Sequence, residues 1–129
     1  MKRIALALAV FVSLMIPSKA SFAEWFKVAE SVDGDTFYID TKIRKHDGHI
    51  YYWDLSDYLK PSKNGVISAK TYYEADCGRF RSRQLQASYH PEPMGKGAPS
   101  STGIDESWYY PSPRTIGADI LEAACALAD

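Results

Sequence analysis

The sequence predicts an α+β domain: an antiparallel meander of about five to six strands closed by one C-terminal helix packed on the sheet. Two observations carry this. Short segments of alternating polarity recur between turn signals from Trp25 to Tyr89. A single stretch of helical periodicity then ends the chain.

Trp25 to Glu30 alternates and reads as the first strand, and Asp33-Gly34 is a hairpin turn signal. Thr36 to Asp40 is the second strand. Lys45-His46-Asp47-Gly48 reads as another turn. His49 to Tyr58 is a longer strand, with Tyr51, Trp53 and Leu55 on one face and Ile50, Tyr52 and Asp54 on the other. Pro61 to Gly65 breaks the chain. Val66 to Asp76 alternates again, with Ile67, Ala69, Thr71, Tyr73 and Ala75 facing one way. Arg79 to Tyr89 completes the sheet.

A turn at Cys77-Gly78 would set Asp76 opposite Arg79, Glu74 opposite Arg81 and Tyr72 opposite Arg83. That pairing accounts for the Arg79-x-Arg81-x-Arg83 stripe without a ligand. Leu85 and Tyr89 share the parity of those arginines, which calls for a bulge or a second covered face further along. Pro91 to Gly103 is rich in Pro, Gly and Ser and reads as a long loop. Ser112 fits an N-cap and Pro113 a first helical position. Ile116, Ile120, Ala124 and Leu127 then form one stripe, flanked by Leu121 and Cys125.

Residues 1–23 read as a secretory signal peptide. Lys2 and Arg3 form the positive end, Ile4 to Ile16 is apolar apart from Ser13, and Ser21-Phe22-Ala23 suits cleavage before Glu24. The remaining domain, 24–129, loses Lys2, Arg3 and Lys19 and no acid, which takes the net charge from −1 to −4. No basic field points to nucleic acid, and no apolar run after the leader is long enough to span a membrane. Two cysteines, Cys77 and Cys125, in an exported chain imply a disulfide. Their wide spacing is unlike that of a redox-active pair.

Catalytic patterns are scarce. Asp33-Gly34-Asp35-Thr36 resembles the Asp-Gly-Asp-Thr segment of staphylococcal-type nucleases, which hold calcium on such carboxylates. A nuclease here would use Asp33, Asp35 and Asp40, but the downstream arginine strand and acidic segment of those enzymes do not follow. A hairpin turn explains the same residues. His46 and His49 have a His-x-x-His spacing without further suitable ligands nearby, and the remaining histidine is His90, beside Pro91; the histidines read as exposed loop residues. Gly95-Lys96-Gly97 reads as a solvated turn. The expectation is no catalytic set, no metal site and no cofactor. The signal that favours binding is aromatic: three Trp, nine Tyr and five Phe, with runs at Tyr51-Tyr52-Trp53 and Trp108-Tyr109-Tyr110.

In order, Trp25, Thr36-Phe37-Tyr38-Ile39-Asp40, Tyr52-Trp53-Asp54-Leu55-Ser56-Asp57-Tyr58, Ser68-Ala69-Lys70, Glu74-Ala75-Asp76-Cys77, the arginine-rich strand, Met94-Gly95-Lys96-Gly97, Trp108 to Ser112 and the late Cys125 resemble the surface-adhesin protein E domain of proteobacteria. The resemblance spans nearly all of residues 25–125. It implies a small exported domain with a C-terminal helix packed on an antiparallel sheet. The family takes its name from a surface adhesin that binds host matrix proteins, and it offers no catalytic motif to transfer. No lipoprotein cysteine follows the leader, which favours the periplasm over surface display or secretion. The functional expectation is an exported, non-enzymatic binding module for a protein or small ligand, with a homodimer through a sheet edge as a further expectation. A periplasmic inhibitor or accessory protein is the alternative, and the calcium-dependent nuclease a remoter one.

Overall fold

The computed structural model describes residues 23–101 and 103–129. Residues 1–22 of the expected leader therefore lie outside the described residues. Six strands form one antiparallel sheet: β1 (Trp25–Glu30), β2 (Thr36–Asp40), β3 (Arg44–His46), β4 (His49–Asp57), β5 (Ser68–Asp76) and β6 (Arg81–His90). One helix, α1 (Ile116–Leu127), follows. The strand order is β1-β2-β4-β5-β6, with β3 also on β4. The expected α+β meander is thus the observed architecture.

Strand β3 replaces part of an expected turn. Asp47 and Gly48 alone make the reversal, with φ of 50° and 80°, so Arg44 to His46 are free to pair with Tyr51 to His49. Both β2 and β3 lie along the same edge of β4, one after the other. At the first hairpin Gly34 has φ of 89°, and its N–H donates to the Ser31 carbonyl at 3.0 Å, so the Asp-Gly turn forms as expected.

The β5–β6 register differs from the expected one by two residues. Asp76 stands opposite Arg81 and Glu74 opposite Arg83. The turn is longer because Phe80 takes φ of 51° and its N–H donates to the Cys77 carbonyl, so β6 begins at Arg81. The charge pairing survives because a shift of two keeps every side chain on its face. A bulge, one of the two outcomes parity allowed, sits at Leu85, between the pairs Tyr72–Gln86 and Tyr73–Gln84. It returns Tyr89 to the face of Ala69 and Ala87.

Helix α1 starts three residues later than expected. Arg114 has φ of 62°, which breaks the helix after Pro113. Thr115 is the cap instead: its Oγ1 accepts the Ala118 N–H at 3.2 Å and donates to the Ser112 carbonyl at 2.7 Å. The buried stripe is Ala118, Ile120, Leu121 and Ala124, while Leu127 points outward. This stripe packs on Ile39, Ile50, Tyr52 and Ala75, the sheet face chosen by alternation. A disulfide joins Cys77 to Cys125 and ties the helix end to the end of β5.

At one end the opposite sheet face is covered by the connection that follows β6. The first part of the expected Pro91–Gly103 loop turns back over it with a short 3-10 turn at Pro93–Gly95. There the Met94 N–H donates to Asp57 Oδ1 (2.9 Å), and Ser68 Oγ donates to the Glu92 carbonyl (2.6 Å) and accepts from the Gly95 N–H (2.8 Å). Leu55 and Ser68 are fully buried at this end. Gly95 has φ of 71°, and a Cβ there would lie 2.9 Å from Lys70 Cδ. Gly95→Ala is expected to cost about 1 kcal/mol, mostly left-handed backbone strain because the lysine tip can move. Urea unfolding of the two proteins would measure it.

The two sheet edges differ. The outer edge of β6 is met at both ends by the passing chain: Ser82 and Tyr109 exchange two backbone hydrogen bonds, as do Tyr89 and Ser100. Among the described residues β1 pairs on one side only, with β2, and it carries a bulge between Lys27 and Ala29.

Candidate binding face

Alternation places Trp25, Tyr38, Tyr51, Trp53 and Tyr72 together on the sheet face away from the helix. Each is partly exposed. The rings lean on one another: Trp53 and Tyr72 have centroids 5.0 Å apart, and Tyr51 and Tyr72 6.3 Å apart, at interplanar angles of 36° and 32°. Ring faces are therefore partly spent on neighbouring rings. The belt presents edges and hydroxyls, which suits broad contact with a surface. Arg44, opposite Tyr51, and Lys70, opposite Leu55, have no ion-pair partner among the described residues.

A charged cluster borders the belt. Arg83 donates through Nε and Nη2 to Glu74 Oε1 at 2.9 and 2.7 Å. His49 Nδ1 lies 2.7 Å from Glu74 Oε2, and its Nε2 3.7 Å from Asp76 Oδ2. Arg81 Nε donates to Asp76 Oδ2 at 3.3 Å. Trp108 closes the cluster from the passing chain. The guanidinium carbons of Arg81 and Arg83 lie 4.1 and 4.9 Å from its ring centroid, and His49 meets it edge-on at 5.8 Å.

Burial pushes the Glu74 carboxyl up, but the His49 and Arg83 hydrogen bonds and the Arg83 charge outweigh it and hold the pKa below its ordinary value. Asp76 is held low in the same way: desolvation raises it, and the Arg79 N–H, Arg81 and His49 lower it further. Every charge here is answered by another, so the cluster braces the face and offers no free nucleophile and base.

The other sequence candidates are scattered. Asp35 Oδ1 accepts the Leu59 N–H at 2.9 Å, and Asp40 Oδ1 accepts the Lys42 N–H at 2.9 Å. These two acids sit at opposite ends of β2, about 16 Å apart by strand rise. Asp33 is exposed in the turn near Asp35. The three carboxylates of the nuclease reading are not brought to one ion. His46 ends strand β3, exposed and 3.1 Å from Asp47, and His49 opens β4 inside the cluster, so neither is a loop residue. His90 is also no exposed loop residue: it is buried at the end of β6, with Nε2 2.8 Å from Ser88 Oγ. Among the described residues no group of three or more His, Cys, Asp or Glu is placed to hold a metal ion.

Sequence reasoning missed that Trp108 crosses the sheet edge onto the arginines, since no local pattern announces a contact between residues 81 and 108. It missed Tyr38 and Trp25 as partners of the belt because their face depended on the pairing of β1, β2 and β4.

The sequence pattern of the surface-adhesin protein E family matches residues 25–126. The chain belongs to this family. Solved structures of Haemophilus influenzae protein E share its fold. Crystal form II of that protein superposes with a TM-score of 0.63 at 16% identity, over 79% of this chain and 87% of the other. The protein from a non-typeable strain superposes with a TM-score of 0.59 at 16% identity, over 85% and 80%. No curated protein sequence matches the chain significantly. Membership in a surface-adhesin family and an internal disulfide both mark an exported protein.

Proposed function

We propose that this adhesin E-family protein is a non-enzymatic binding module whose contact surface is the helix-free sheet face and whose ligand is another protein. The observation that carries this reading is the aromatic belt. Five partly exposed Trp and Tyr side chains share one face, while the helix is used on the other. Protein interfaces are enriched in these residues, and flat, braced surfaces bind at low entropic cost. The unpaired Arg44 and Lys70 favour an acidic patch on the ligand. The surface-adhesin name of the family supports a protein ligand. The address proposed is the periplasm, with surface display as the alternative. The open edge of β1 is where a second copy would pair.

The test uses the folded domain, residues 24–129, immobilised against matrix proteins and against periplasmic extract. A genuine ligand is expected to bind the Trp53→Ala variant about tenfold more weakly than the parent. The melting temperature should change by only a few degrees. Equal capture by both proteins would remove the belt from the binding surface. Protease treatment of intact cells then separates the two addresses: protection means periplasm, and shaving means surface.

A further inference from the structure

A crevice of about 410 Å³ opens between the outer edge of β6 and the chain segment running beside it. Volumes of this order accommodate small ligands. The crevice lies around the sheet edge from the belt, and nothing in the binding reading above uses it. Its walls include Tyr73, Trp108 and Tyr109, with Arg83, Gln84 and Asp105.

Each ring is held in place. Trp108 is clamped by the two guanidiniums and by His49. Tyr109 rests on the first turn of α1, its Cε1 3.7 Å from where a side chain at Gly117 would begin. Tyr73 stacks on Tyr52 with centroids 5.5 Å apart. The pocket is thus built before any ligand arrives.

Its charge is also defined. Arg83 is matched by Glu74 at 2.7 Å, and the neighbouring Arg81 by Asp76 at 3.3 Å. Asp105 has no cation beside it among the described residues. Hydrogen bonds from the Ser107 side chain and backbone N–H, the latter 2.9 Å from Oδ1, keep its carboxyl below the ordinary range, hence ionised at neutral pH. The uncompensated charge of the crevice is negative.

We propose that this crevice binds a small organic cation, an alkylammonium group packed against Tyr73, Trp108 and Tyr109 and neutralised by Asp105. Aromatic walls with one unmatched carboxylate are suited to a cation and not to an anion. Such a group reaches the pocket either as a free quaternary amine or as a lysine side chain of another protein. The site does not depend on the belt, so either can fail alone.

Choline is the first probe, titrated into the folded domain and followed by calorimetry and by tryptophan fluorescence. Saturable binding in roughly the millimolar range is expected. The uncharged analogue with carbon in place of the ammonium nitrogen should bind about tenfold more weakly. Asp105→Asn should also bind about tenfold more weakly with an unchanged melting temperature, because the amide oxygen still accepts the Ser107 N–H. Tighter binding of N-acetyl-lysine amide than of choline would support a lysine side chain as the source, and the reverse a free quaternary amine. The proposal is overturned if neither cation saturates by about 0.1 M. It is equally overturned if the uncharged analogue binds as well as choline, or if Asp105→Asn keeps full affinity.

Discussion

Replacing Asp54 with Asn is expected to remove most of the loss of stability that the protein shows between about pH 4 and pH 7. Asp54 is buried in β4, on the helix side of the sheet, with Ile39 and Thr71 opposite it. Burial raises its pKa from 3.8 to about 7, against the lowering effect of hydrogen bonds with the Thr71 backbone and the Tyr73 side chain. Among the described residues no cation is paired with it. In the unfolded chain the group ionises near 3.8, while the folded chain keeps its proton until about 7. The folded state therefore holds the extra proton, and stability falls as pH rises across that window. It is undiminished by this group below the unfolded value and levels off above the folded one. A shift of this size corresponds to at most about 4 kcal/mol, and relaxation around the carboxylate reduces it. Glu74 and Asp76 act in the opposite sense. Their lowered values give stability above their unfolded pKa that is lost as pH falls through the folded one. The two trends place the stability maximum on the acid side of neutrality. Melting curves from about pH 4 to pH 8 would show the decline in the parent and a flatter line in Asp54→Asn. Parallel profiles for the two proteins would mean that folding leaves the Asp54 carboxyl at its ordinary pKa.

The buried carboxylate also marks what the sequence made legible. Its position on the Ile50–Tyr52–Asp54 face follows from strict alternation, and so does the helix-side core of Ile39, Ile50, Tyr52 and Ala75. Parity told that a bulge or a second covered face was needed beyond the arginines, because an unbroken strand would put Tyr89 on the face of Arg81 and Arg83. Turn length was less legible. Phe80 and Arg114 adopt left-handed backbone that no propensity assigns to Phe or Arg, and these two residues moved the start of β6 and of α1. The candidate site was readable in composition but not in place. An excess of Tyr and Trp signals contact, yet which rings are neighbours depends on strand order. The clasp of Trp108 over Arg81 and Arg83 depends on a long connection folding back along β6, which leaves no periodic trace.

Loss of the disulfide is expected to be the most damaging single change. Cys77 follows the end of β5 and Cys125 lies in the last turn of α1, 48 residues apart in sequence. Closing a loop of that length removes roughly 4 kcal/mol of unfolded-state entropy on the chain-entropy model. The helix has little else to hold it at that end. Its buried stripe consists of Ala118, Ile120, Leu121 and Ala124, and two of these four are alanines that bury little area. Because small domains are stable by only about 5–15 kcal/mol, Cys125→Ser should lower the melting temperature by about 20 °C. Reduction of the parent should produce the same shift, and reduction of Cys77→Ser/Cys125→Ser none. The loss should reach the binding face as well. The helix leaves the passing segment that carries Trp108 and Tyr109, so a freed helix relaxes the clamp on Arg81 and Arg83 and the crevice beside β6. Matching melting temperatures for oxidised and reduced parent would show that sheet packing alone holds the helix.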